Sequence, residues 1–209
     1  MQELRGPSEL QKAKSLRTHT AIVRGVVASL DSHGYAATSI TRVLEQTGLS
    51  RGALQHHFRT KEDLIAATAE YLMERSLRAI RAPAARPSRE LDRELNDLWR
   101  SVIHTRDYRA LLEILNAMRT DPKLRRRILA ILKTWNASID EAMLQLYTST
   151  SSSDDEVVEL MAMSRCLLRG LVIQETFAGS RSSIERLVAR WIELLSPRLQ
   201  VRPVEDALR

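Results

Sequence analysis

Apolar residues recur along this chain at three- and four-residue steps, the spacing that lays one stripe down an α-helix. Leu16, Thr20, Val23, Val27 and Leu30 set the first stripe, on a helix that begins near a Ser8-x-x-Gln11 capping box and ends at Gly34. A second helix opens at Thr38 or Ser39, turns Ile40, Val43 and Leu44 inward and stops before Gly48; Ser50 then caps a short third helix. Thr60 caps a fourth, which runs through Leu64, Ile65, Thr68, Tyr71 and Leu72 to the region of Ala82, where Ala-Pro-Ala-Ala-Arg-Pro-Ser breaks the pattern.

Five further helices follow from the same signals. Ser88 opens one carrying Leu91, Leu95, Leu98 and Val102, and Asp107 precedes another with Leu111, Leu112, Leu115 and Met118. Asp121-Pro122 pairs a capping side chain with proline at the first helical position, opening the longest stripe, from Leu124 through Ile128, Ile131, Leu132, Trp135, Ile139 and Met143 to Leu146. After a serine-rich loop, Thr148 to Ser153, the boxes Ser153-x-x-Glu156 and Ser182-x-x-Glu185 open the last two helices; Pro197 closes the second, and the tail beyond it reads as frayed. The pattern predicts an all-α fold of nine helices, with a head at residues 8–60, a connecting helix at 61–82 and a body at 83–200.

Composition fits this picture. Of 209 residues 44% are hydrophobic, 28% charged and only 4% aromatic, as in a globular chain with a real core and little sheet. Cys166 is the one cysteine; it sits in an apolar run, reads as a buried inert thiol and suits a reducing compartment. No run approaches the ~20 apolar residues of a membrane span, and the opening residues lack a signal-peptide core. A cytoplasmic protein with no membrane partner is expected.

Charge narrows the function. Between residues 12 and 61 stand Lys12, Lys14, Arg17, Arg24, Arg42, Arg51, Arg59 and Lys61, against only Asp31 and Glu45, so this stretch carries the entire net charge of +6. Such a local excess is the electrostatic footprint of a phosphate-binding surface. Within it, two short helices joined at Gly48 form a helix-turn-helix, in which the first helix crosses the DNA backbone and the second enters the major groove. Ser50 caps the groove helix, and Gly52 and Ala53 let its backbone approach the duplex. Arg51 can then pair with guanine and Gln55 with adenine. His56 is placed for a base or a phosphate, and Thr38, Ser39, Arg42 and Lys61 for phosphates, Lys61 at a helix N-terminus.

Other readings of the same residues are weaker. Gly48-Leu49-Ser50-Arg51-Gly52 matches the Gly-x-Ser-x-Gly elbow of hydrolases, but that elbow needs a buried strand before the serine, and Thr41 to Thr47 reads as helix. Adjacent His56 and His57 diverge on a helix and find no further ligands, so a metal site is not expected; His57 reads as packed beside Phe58. No catalytic carboxylate pair, triad or cofactor motif is visible, and neither an enzyme nor a cofactor is expected.

The head resembles the TetR family of transcriptional regulators. The resemblance rests on Gly34, Thr38-Ser39, Thr47-Gly48-Leu49-Ser50, Gly52-Ala53-Leu54-Gln55-His56-His57-Phe58 and Lys61-Glu62, and spans roughly Arg17 to Leu72; Arg119-Thr120-Asp121-Pro122 is a weaker echo in the body. Two departures stand out. Gln55 occupies the place of the family's usual tyrosine, and Leu44 and Thr47 replace small alanines. The resemblance implies a homodimeric repressor that binds a pseudo-palindromic operator and answers to a small-molecule effector, with an activator or an effector-independent regulator as the alternative. It implies an effector pocket in the body, for which Trp99, Asn116, Met118, Trp135, Met143, Met163, Arg169 and Gln174 are candidates. It further implies a dimer interface on the last two helices, with Ser164, Leu168, Gly170, Leu171, Leu187, Val188, Trp191 and Leu195 as its candidate residues.

Overall fold

The structure is a computed structural model that describes residues 9–82, 90–177 and 181–202. Ser8, the proline-containing break at 83–89 with Ser88, and the last residues lie outside the described part. Nine α-helices stand among the described residues: α1 (Glu9–Ala37), α2 (Ile40–Thr47), α3 (Arg51–His57), α4 (Lys61–Arg81), α5 (Leu91–Leu98), α6 (Arg106–Ala117), α7 (Pro122–Leu146), α8 (Asp154–Gln174) and α9 (Arg181–Leu195). The chain divides into two compact units, Met1–Tyr71 with Glu113–Ile128, and Leu72–Leu112 with Leu129–Arg209, the divisions falling inside α4, α6 and α7.

In the first unit Ile22, Val23, Val26 and Leu30 of α1, Val43 of α2, Leu54 of α3, Leu64 and Ile65 of α4, and Leu124 and Ile128 of α7 form the core. Burying one such side chain contributes roughly 1.5–3 kcal/mol. The stripe on α1 is buried only from Ile22 onward: Leu16, expected inside, is 67% exposed, with no described element covering it. Gly34 (φ 75°, ψ 174°) breaks the helix as expected, although helical geometry resumes as far as Ala37. Each short helix is locally fastened. Ser39 Oγ accepts from Arg42 N–H, Ser50 Oγ from Ala53 N–H, each at 3.2 Å, and Thr60 Oγ1 from Asp63 N–H at 3.0 Å. Asp121 Oδ1 accepts from the amides of Lys123 and Leu124, both at 3.0 Å.

The second unit is built on Leu95, Tyr108, Leu111, Trp135, Ile139, Met143, Met161, Leu168, Val188, Trp191 and Ile192. Its indoles are tied down: Trp191 Nε1 donates to Ser164 Oγ at 2.9 Å and Trp135 Nε1 to Ser76 Oγ at 3.1 Å. Several start signals shift. Thr105 rather than Asp107 caps α6, its Oγ1 accepting from Tyr108 N–H, while Asp107 pairs with Arg75 at 2.7 Å. The helix of α5 widens into a π-helical turn over Trp99–Ile103, and Ser182 stands inside the first turn of α9 rather than before it. The tail is not frayed at its start. Leu199–Val201 (β2) pairs antiparallel with Tyr147–Ser149 (β1), which takes Thr148 and Ser149 out of the predicted loop. Cys166 is exposed on α8, not buried.

The unusual Thr47 has a structural counterpart. A Cβ at Gly25 would collide with the Thr47 methyl group, and Thr47 is held in place by its hydroxyl, which donates to Val43 O at 2.8 Å. Gly25 and Thr47 therefore form a complementary small-large pair between α1 and α2. Gly25→Ala is expected to cost about 1–3 kcal/mol of stability through overpacking. Adding Thr47→Ala should recover most of the loss, so urea unfolding of the two single variants and the double variant reads the coupling; losses that simply add would contradict this packing account.

Candidate nucleic-acid interface

The turn between α2 and α3 is tight because Gly48 adopts the left-handed conformation (φ 67°, ψ 13°) while its N–H returns to Leu44 O at 2.9 Å. A side chain is disfavoured at such a φ. Leu49 is half-buried beneath the turn, and Leu54 and Phe58 are buried on the inner side of α3. That burial leaves Arg51, Gly52, Gln55 and His56 exposed on the outer side, with Ser50 exposed at its start and Ala53 half-buried. One side of α3 thus presents a guanidinium, an amide and an imidazole beside a glycine, the groups that can meet base edges and phosphates.

Most of the remaining candidates flank this surface. Ser39 is exposed and caps α2, and Arg42 is half-buried one turn further on. Lys61 opens α4, its ammonium 4.6 Å from the centroid of the Tyr35 ring. Thr38 does not belong with them. It is 2% exposed, its hydroxyl donates to Gly34 O at 2.8 Å and lies 3.0 Å from Ser29 Oγ, so it fastens the α1–α2 joint instead of reaching a phosphate. Ser50 follows a helix and a turn, not a strand, which removes the geometry of a nucleophile elbow. Among the described residues no group of three or more His, Cys, Asp or Glu side chains is placed to hold a metal ion, and no helix is long and apolar enough to cross a membrane.

His57 lies behind the exposed side. Its ring is half-buried, 5.9 Å from His19, 5.3 Å from His56 and 6.2 Å from Phe58. Burial, then the neighbouring His56 and His19, push its pKa below the ordinary imidazole value.

In the second unit the candidate effector residues separate. Trp135 and Met143 line a small apolar cavity of about 30 Å³ together with Tyr108, Met161 and Arg165. A wider opening of about 280 Å³ shares Ser76, Val102 and Tyr108 with it. Arg169 reaches that region indirectly, its Nε donating to Tyr108 Oη at 3.1 Å. Trp99 lines a separate polar groove, stacked on His104 at 5.1 Å. Met163 is 68% exposed and Gln174 is exposed, so neither faces the cavity; Asn116 and Met118 belong to the other unit, Met118 in its core. Tyr108 and Ser76 were invisible as cavity residues because their partners lie far along the chain.

The dimer candidates also need sorting. Ser164, Leu168, Leu171, Val188, Trp191 and Leu195 are buried within their own unit, while Gly170 and Leu187 are exposed. Besides Leu187, the exposed apolar side chains of α8, α9 and the turn after α8 are Met163 (68%), Leu167, Ile173, Phe177 (74%) and Leu194 (61%).

A glycine-turned helix pair with a capped, outward-facing second helix is the geometry of a helix-turn-helix. Residues 22–68 match the family model for bacterial regulatory proteins of the tetR family. The regulator CymR of Pseudomonas putida is 25% identical over 190 residues, covering 90% of this chain and 94% of its own. The repressor AcnR of Corynebacterium diphtheriae is 26% identical over 173 residues, covering 80% and 85%. The crystal structure of a transcriptional regulator from Rhodococcus sp. Rha1 superposes with a TM-score of 0.66 at 17% identity, covering 86% of this chain and 97% of that one. Residues 22–68 are thus similar to the tetR family of bacterial regulatory proteins, and most of the chain is similar to these transcriptional regulators.

The depressed His57 pKa carries a pH dependence. Above about pH 6.5 the imidazole is neutral in both folded and unfolded chains; below it the unfolded chain takes up the proton first, so stability is lost as pH falls through the lowered folded value. His57→Asn should flatten that part of the stability profile, read by thermal unfolding between about pH 8 and pH 5. An unaltered profile would show that His57 does not titrate against the fold.

Proposed function

We propose that the protein is a homodimeric repressor that reads a pseudo-palindromic operator through α3 and is released when a small molecule occupies the second unit. The observation that carries this reading is the exposed row Arg51, Gln55 and His56 on a capped helix, within the stretch that holds the whole net charge. Arg51 and Gln55 read bases, His56 reads a base or a phosphate, and Ser39, Arg42, Ser50 and Lys61 meet phosphates, with Gly52 and Ala53 giving close approach. In this reading residues 8–60 and the connecting helix 61–82 bind DNA, and residues 83–200 hold the dimer face and the effector cavity. Residues 113–128 belong to the second group in sequence but share the head's compact unit.

The apolar side chains left exposed on α8, α9 and the turn after α8 support dimerisation: Met163, Leu167, Ile173, Phe177, Leu187 and Leu194 are a costly surface for a monomer to keep in water. Two copies joined there carry two groove helices, and a two-fold protein demands a two-fold site with half-sites about one DNA turn, ~34–36 Å, apart. The repressor reading is supported by the likeness to AcnR, named a transcriptional repressor.

The cavity beside Trp135 and Met143 supports control by a ligand. At about 30 Å³ it has room for little more than one water. An effector therefore enters only a form in which this space is wider, and it stabilises that form over the narrow one. Such a preference between two states is the condition for a ligand to shift DNA binding, with couplings typically of about 1–3 kcal/mol.

Arg51→Ala should relax the sequence preference at its base position by roughly 1–3 kcal/mol, whereas Lys61→Ala should weaken all duplexes alike and flatten the salt dependence. Fluorescence anisotropy on specific and mixed-sequence duplexes measures both. Unchanged preference in Arg51→Ala would sink the assignment of α3 as the reading helix.

A further inference from the structure

We propose that Tyr35 is a positioning residue for DNA binding, holding the Lys61 ammonium at the phosphate-facing start of α4 by linking it to the α6–α7 corner. The inference rests on the reading of Lys61 as a phosphate contact and extends it to residues that touch no DNA.

Tyr35 follows the break at Gly34, where the reversed backbone frees its amide from the helix. That N–H donates to Glu113 Oε2 at 2.9 Å. The phenol hydroxyl donates to Asp121 Oδ2 at 3.1 Å. Asp121 is itself fixed, because its other oxygen caps α7 through the amides of Lys123 and Leu124. The ring is thus anchored at its backbone and at its tip, and the Lys61 ammonium stands over its face at 4.6 Å. Burial, then the hydrogen bond to Asp121, push the Tyr35 pKa up to about 12, so the phenol stays protonated and keeps its donor.

The chemistry of this partner is what suits a DNA contact. A lysine at a helix start is otherwise free to sample many rotamers, and ordering it on binding is costly. A carboxylate would order it while cancelling its charge. An aromatic face attracts the cation without neutralising it and leaves the ammonium hydrogens available to phosphate oxygens. Of the two carboxylates in the first turn of α4, Asp63 is engaged by Arg127 at 3.1 Å, and Glu62 stands near enough to Tyr35 to help raise its pKa. Glu113 and Asp121 set the ring, so a shift of the α6–α7 corner is felt at Lys61.

The test uses the full chain and a mixed-sequence DNA duplex long enough for two half-sites, titrated over a range of salt concentrations. Lys61→Met should lower the slope of log affinity against log salt by about 1.8, the loss of one phosphate contact in each protomer of the dimer. Tyr35→Leu should lower the slope in the same direction and weaken binding. The double variant should then bind little worse than Lys61→Met alone. Tyr35→Phe, which keeps the ring but not the hydroxyl, should fall between wild type and Tyr35→Leu. If Tyr35→Leu does not fold, Asp121→Ser serves in its place: serine still caps α7 but is too short to reach the phenol. An unchanged slope in Tyr35→Leu, with losses that multiply in the double variant, would make Tyr35 merely structural and overturn the inference. No effect of Lys61→Met would instead remove the phosphate contact itself, and the inference with it.

Discussion

Helices α2 and α3, of eight and seven residues, are too short to persist alone in water, where even good formers need about 12–15 residues. Their existence depends on burying Val43, Leu54 and Phe58 in a core shared with α1, α4 and the start of α7. This single constraint organises the head. It turns the polar side of α3 outward, sets the glycine turn that angles α3 away from α2, and assigns capping oxygens to Ser39, Ser50 and Thr60. The surface proposed to read DNA is the remainder of a helix whose other side is committed to the core.

Local chemistry was legible in the sequence wherever a residue and its partner lie within a turn of each other. The caps, the left-handed Gly48 and the proline start of α7 are of this kind, and so is the charge excess. Tertiary relations were not. Periodicity marks a stripe but not what covers it, so Leu16 was placed inside although no described element packs over it. Thr38 looked like a phosphate contact because hydroxyls at helix starts are often exposed, yet its hydroxyl is buried, donating to Gly34 O and lying against Ser29 Oγ.

Helix α8 shows the same limit most clearly. It is apolar on two sides: Val157, Met161, Ser164, Leu168 and Leu171 are buried, while Met163, Leu167 and Ile173 are exposed. Sequence spacing cannot say which stripe a chain buries in itself and which it offers to a partner. The expected interface residues were mostly drawn from the inner stripe, which the chain buries in itself. Cys166, exposed on this helix, was misplaced for the same reason. The strand pair β1 and β2 escaped because its partners lie about fifty residues apart and each is only three residues long.

Gln55 is exposed on the outer side of α3, so in the proposed reading it offers an amide to a base where a tyrosine was expected. Thr47, the other departure, is absorbed by Gly25 and leaves the turn intact. The most direct test of the account is to let the purified chain select its DNA from a random duplex pool and to sequence what it retains. The account predicts a two-fold symmetric motif whose half-site centres lie about 10–10.5 base pairs apart, or a multiple of that spacing, with defined bases facing Arg51 and Gln55. A pool without enrichment, or a single unsymmetrical motif, would contradict it.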